Sequence, residues 1–107
     1  APFSNGNRAE NIRRACFAGD ALLKKGHIPL IPHLSYLWDL ISPKPWETWI
    51  EIDLALLDMC DALLRLDGAS KGADIEVAEA KRLCMFIYFS LEDIPDKLKL
   101  GGAYEVL

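Results

Sequence analysis

An α/β domain built on a parallel sheet is predicted by three observations. Apolar residues recur at helical spacing in three separate stretches. Short apolar runs bracketed by turn residues lie between them, and the two kinds of segment alternate along the chain. The first helix starts where Asn7 is followed three residues later by Glu10, a pattern that caps a helix N-terminus. Ile12, Ala15, Cys16, Gly19, Leu22 and Leu23 then keep one face apolar until Gly26, the residue best suited to a helix end. Residues 27–32 read as a strand, and the two prolines within them place it at a sheet edge, where a missing N–H costs least. Residues 34–41 are rich in aromatic and apolar side chains and fit either type of element. The Ser42-Pro-Lys-Pro45 segment breaks the chain, and Pro45 suits the first turn of a helix running to about Met59.

Beyond that helix, residues 62–66 form an apolar run interrupted only by Arg65, short enough for a buried strand. Residues 72–83 read as the next helix, 85–89 as the next strand and 91–98 as a weak helical turn. Strands alternating with helices imply parallel pairing with right-handed crossovers. At 107 residues, with no repeat, low-complexity tract or long linker, one domain spans 1–107. Parallel sheets of this kind open with a strand, whereas this chain opens with the loop chemistry of Ala1-Pro-Phe-Ser-Asn-Gly-Asn7. Either a first strand is missing from it, or the fold is smaller than its relatives.

The chain is 51% hydrophobic and 26% charged, ordinary for a folded domain and wrong for a disordered one. Its formal charge of −4 includes no basic stripe to neutralise phosphates, so neither a nucleic-acid polymer nor an anionic membrane is the expected partner. Cys16, Cys60 and Cys84 are odd in number, far apart and set among apolar neighbours, which fits free thiols in a reducing cytoplasm. No stretch approaches the ~18 apolar residues of a membrane span, and no leader pattern opens the chain. Two histidines and three scattered cysteines offer no metal-ligand spacing, so neither metal nor cofactor is expected.

Two acidic residues stand out. Asp53 falls among Trp49, Ile50, Leu54 and Leu57 and not on a clean polar face. Glu76 follows the loop at 67–72 that joins an apolar run to a helix, the place where open α/β sheets bind small ligands. Residue statistics alone make Glu76 a helix N-terminal acid favoured by the dipole, and leave Asp53 evenly balanced between a solvated position beside Glu51 and a buried one.

The ordered set PFSNG at 2–6, GHIPLIPH at 26–33, WDL at 38–40, DLALLDMCDALLRL at 53–66 and SKGADIE at 70–76 resembles the nucleoside 2-deoxyribosyltransferase family, with its nucleoside-monophosphate N-glycosidase branch and uncharacterised relatives. No motif is strong alone; their order and spacing carry the likeness. The resemblance implies a flavodoxin-like three-layer fold and chemistry at the N-glycosidic bond of a 2-deoxyribonucleoside or its 5′-monophosphate. It implies Glu76 as nucleophile and Asp53 as the group that orients the sugar or protonates the leaving base. Ser70 would meet a 5′-phosphate near the amides at Gly72, while Ser4, Asn5, Gly6 and His33 would line the pocket and Trp38 would wall the base. A homo-oligomer is implied as well, although residues 101–107 match nothing in the family.

Each assignment has a plainer counterpart. Ser70 is a good turn residue in any protein, and Ser4, Asn5 and Gly6 form an ordinary helix entry. His33 after Pro32 fits a loop histidine, and Trp38, Trp46 and Trp49 fit a core or an interface. Asp61 and Asp74 read as structural acids beside an element boundary. Two other functions compete with catalysis: a nucleotide-binding module of the same fold without turnover, and an oligomerisation domain whose interface is the tryptophan-rich segment.

Overall fold

The computed structural model describes residues 8–68, 70–96 and 102–107. The elements are, in order, α1 (Arg8–Lys24), β1 (Ile28–Leu30), a 3₁₀ turn (Pro32–Leu34), α2 (Ser35–Ile41), α3 (Trp46–Leu57), β2 (Ala62–Leu64), α4 (Lys71–Arg82), β3 (Phe86–Tyr88), a 3₁₀ turn (Leu91–Asp93) and β4 (Ala103–Val106). The four strands form one wholly parallel sheet in the order β1-β4-β2-β3. The alternation of strand and helix in the sequence is thus realised as an α/β fold. The proline-bearing segment at 28–30 takes an outer position, where Pro29 has no second neighbour to disappoint.

The C-terminal segment, which carried no expectation, forms β4 and lies between β1 and β2. Leu30 is aligned with Glu105 on one side of it and Leu63 with Glu105 on the other. Alternation along the strand sends Tyr104 and Val106 into one core layer with Ala15, Ala18 and Leu22 of α1. Leu107 joins Leu57, Leu63, Ala73 and Ala80 in the opposite layer, beneath α3 and α4. Helices therefore cover both faces, an arrangement compatible with a three-layer sandwich. The expectation of a missing first strand concerns the start of the chain, outside the described residues, as do Asn7 of the first cap, Ser4, Asn5 and Gly6.

Helix ends follow from local chemistry. In α1 the Gly26 N–H donates to Leu23 O and the His27 N–H to Leu22 O, both at 3.0 Å, with Gly26 in the left-handed region at φ 87°. At the end of α4 the same pair of bonds runs from Cys84 to Lys81 O (3.1 Å) and from Met85 to Ala80 O (3.0 Å), and Cys84 sits at φ 59°. The ambiguous segment at 34–41 becomes a 3₁₀ turn followed by the seven-residue α2, which buries none of its residues. Asp61 acts structurally, as expected: its Oδ2 accepts from the Ala103 N–H at 2.9 Å and its own N–H donates to Ala103 O at 2.8 Å, fixing the start of β4.

Candidate functional site

Three carboxylates meet between the sheet and the layer formed by α3 and α4. Asp53 belongs to the buried stripe Trp49, Ile50, Asp53, Leu57 of α3, whose helical spacing turns it toward the sheet. Glu76 lies on the buried stripe Gly72, Ala73, Glu76, Ala80 of α4, where small neighbours bring the helix close to the strands and leave space for the longer acid. It stands in the second turn of α4, so the plain reading of a first-turn acid facing the dipole does not apply. Glu105 is supplied by β4. Accessibility is 1% for Asp53 and 0% for Glu76 and Glu105, too low for water to solvate their charges.

Burial is the main cause that raises the proton affinity of all three. In Glu105 the contact with Glu76 adds to burial and pushes the pKa up to about 11, with Asp53 contributing repulsion. In Glu76 burial and the charge of Asp53 raise the pKa, while the hydrogen bond with Glu105 opposes them. The two shifts assign the bond a direction: Glu105 keeps its proton and donates it to Glu76. No N–H or hydroxyl donor among the described residues reaches either oxygen of Glu105. Two buried acids in contact cannot both ionise, and the contact favours the ionised form of Glu76 over that of Glu105.

The neighbouring thiol is not a competing nucleophile. Burial, followed by the charges of Glu105, Asp61 and Glu76, pushes Cys60 up to about 12, and its Sγ donates to Leu56 O at 3.4 Å. Among the described residues no group of three histidines, cysteines or acids is arranged to hold a metal ion.

The other predicted residues fall as follows. Ser70 is the N-cap of α4, its Oγ accepting from the Ala73 N–H at 3.1 Å, and Gly72 is buried in the first turn behind it. His33 is 2% exposed in the 3₁₀ turn after β1 and lines a small cleft with Arg14, Arg65, Asp67, Gly68 and Leu107. Burial, reinforced by Arg14 and Arg65, holds its pKa down near about 4, so the ring is neutral at pH 7. Trp38 does not wall that cleft. It is half exposed and stands edge-on to Trp49, with ring centroids 5.0 Å apart and an interplanar angle of 79°. Trp49 in turn donates from Nε1 to Asp39 Oδ1 at 2.7 Å, so this aromatic pair fastens α2 to α3.

Asp53 and Glu76, chosen from sequence, are thus brought together, and Glu105 is the member that sequence reasoning missed. The available signal was the alternation of Tyr104 and Val106 against Glu105 and Leu107 just after Gly101-Gly102. A single acid on a four-residue strand gives no sign of which neighbours it will meet.

The family described as a domain of unknown function, DUF7768, covers residues 1–90. Neither a curated protein nor a solved structure matches the chain.

Proposed function

The chain belongs to the DUF7768 family, and we propose that it cleaves or transfers at the N-glycosidic bond of 2-deoxyribonucleosides or their 5′-monophosphates. The observation that carries this reading is the buried contact between Glu76 and the proton-bearing Glu105, with Asp53 beside them. The ordered likeness to nucleoside 2-deoxyribosyltransferases supplies the substrate class. The parallel sheet with helices on both faces supports the flavodoxin-like form of that fold.

The reaction needs a carboxylate at the anomeric carbon and a proton for the departing base. Glu76 attacks C1′ as the C1′–N bond breaks, and the positive charge that develops on the sugar is stabilised in a site of low dielectric. Burial keeps Asp53 protonated closer to neutral pH than a solvated aspartate, so it serves as the donor to the leaving base. The deoxyribosyl ester on Glu76 is then opened by water or by a second base, whose proton returns to Asp53. Two displacements at one carbon retain its configuration. Glu105, by donating to Glu76, keeps the nucleophile ionised and fixes its orientation.

The exposed apolar face of α2, with Leu37, Trp38, Leu40 and Ile41, supports a homo-oligomer, and three cysteines without disulfides support a cytoplasmic setting. No helix among the described residues is long and apolar enough to cross a membrane. One rival is a nucleotide-binding module without turnover.

Chromatography of free base separates the two readings. The protein is incubated with deoxynucleosides and their 5′-monophosphates, with and without a second base, beside Glu76→Gln. Turnover that falls by about a thousandfold in the variant, with its circular dichroism unchanged, is the expected result. Tight binding without base release by the wild type would establish the binding module instead.

A further inference from the structure

We propose that the cleft bounded by Arg14, Arg65 and His33 is a seat for a compact oxyanion, and that its occupant is the phosphate monoester of the substrate. Nothing in the resemblance assigned Arg14 or Arg65 a role. The two arginines arrive from different elements, Arg14 from α1 and Arg65 from the end of β2, and both line one small cavity of about 30 Å³ with His33 and Leu107. That volume admits a group of a few heavy atoms and excludes a base or a whole nucleotide.

The arginines are held in place by backbone carbonyls of the described residues. Arg14 Nη1 donates to Asp67 O at 3.1 Å, and Arg65 donates to Leu66 O and to Gly68 O. Arg65 lies 4.0 Å from the carboxylate of Asp74, which is 78% exposed, where solvent screens it. A guanidinium has five N–H donors in a rigid fork, so each retains donors for an oxyanion once these contacts are made. His33 is the independent sign of a ligand. Its ring is 2% exposed, and its Nδ1 has no hydrogen-bond partner among the described residues although it is shut off from water. A neutral imidazole lining the same cleft as two guanidiniums has a use there as a donor to a phosphate oxygen.

The location joins the seat to the acids. Leu107, which lines the cleft, is two residues beyond Glu105 on the same strand direction, a rise of about 7 Å. The cleft thus lies past the C-terminal end of the parallel strands, where ligands of such sheets bind. Its identity as a 5′-phosphate seat rests on the glycosidic reading; its preference for an oxyanion does not.

Calorimetric titration of the full chain tests this with inorganic phosphate, a deoxynucleoside and the 5′-monophosphate of that nucleoside, for wild type, Arg14→Gln, Arg14→Lys and Arg65→Gln. The monophosphate is expected to bind at least about tenfold more tightly than the nucleoside. Arg14→Gln should remove that advantage, inorganic phosphate should compete for it, and Arg14→Lys should restore part of it. Arg65 also pins its own loop, so Arg14→Gln is the deciding variant if Arg65→Gln unfolds. Equal binding of nucleoside and monophosphate, absence of binding by either phosphate ligand, or an unchanged preference in a folded Arg14→Gln would overturn the seat. Base release that ignores the phosphate would also remove the seat and leave the glycosidic reading standing. Arginine-dependent phosphate binding without base release would do the reverse.

Discussion

A carboxyl group shut off from water holds its proton far above the usual range, and Glu105, which no N–H donor among the described residues reaches, is in that position on a central strand. The consequence for stability has a definite sign. In the unfolded chain the same group ionises near 4.5, whereas in the native protein it stays protonated up to about 11. Its contribution is therefore fully present below pH 4.5 and is lost progressively as the pH rises toward 11. One extra proton on the native state corresponds to a slope of about 1.4 kcal/mol per pH unit. Glu76 and Asp53 are raised as well and act in the same direction. His33 acts oppositely: its pKa falls from 6.5 to about 4, so its contribution is lost as the pH drops below 6.5. Between pH 7 and 9 the carboxyls dominate, and the Cys60 thiol, raised from 9.0 to about 12, acts in the same direction toward the upper end. Urea unfolding over that window should show stability falling with pH in the wild type and a slope smaller by about one proton in Glu105→Gln. A wild type whose stability is flat or rises from pH 7 to 9 would contradict the shared proton.

At the scale of elements, the two Schellman ends show what the sequence made legible. Gly26 closes α1 with no Cβ to strain, and glycine after an apolar-periodic stretch is a signal that can be read directly. Cys84 closes α4 with the same bonds and the same left-handed backbone, yet nothing in its identity announces a helix end. α1, α3, α4 and the three short strands before residue 90 were legible because spacing, prolines and turn residues agree, whereas α2 lay in a segment that fitted either type of element. β4 was not, because its four residues alternate around one acid and nothing precedes it but two glycines. A side chain in the left-handed region costs about 1 kcal/mol, so Cys84→Gly should raise unfolding stability by about that amount. Thermal denaturation checks it, and a variant less stable than wild type would mean that the Cys84 side chain contributes packing that outweighs the strain.

For the whole molecule, the order β1-β4-β2-β3 makes the last strand central, so the sheet closes only when the chain's end is inserted between β1 and β2. That insertion also completes the candidate site. Asp53 and Glu76 were legible because each stands on a helix whose spacing can be read, and the likeness to a known family singled them out. Their third partner comes from the other end of the chain, and only the topology brings it there. The same holds for the cleft: Arg14, His33 and Arg65 are separated along the sequence and meet at one end of the sheet. Pairwise proximity of this kind has no local signature.

In the proposed reaction Glu76 attacks the sugar directly, with Glu105 and Asp53 governing the protons around it. Proton NMR of the anomeric signal, recorded while the protein turns over a β-configured deoxynucleoside or its 5′-monophosphate with a second base present, tests this most directly. A new β-configured product, absent with Glu76→Gln, is the expected result, because two displacements at C1′ restore the starting configuration. An α-configured product, or no product from any of these substrates, would contradict it.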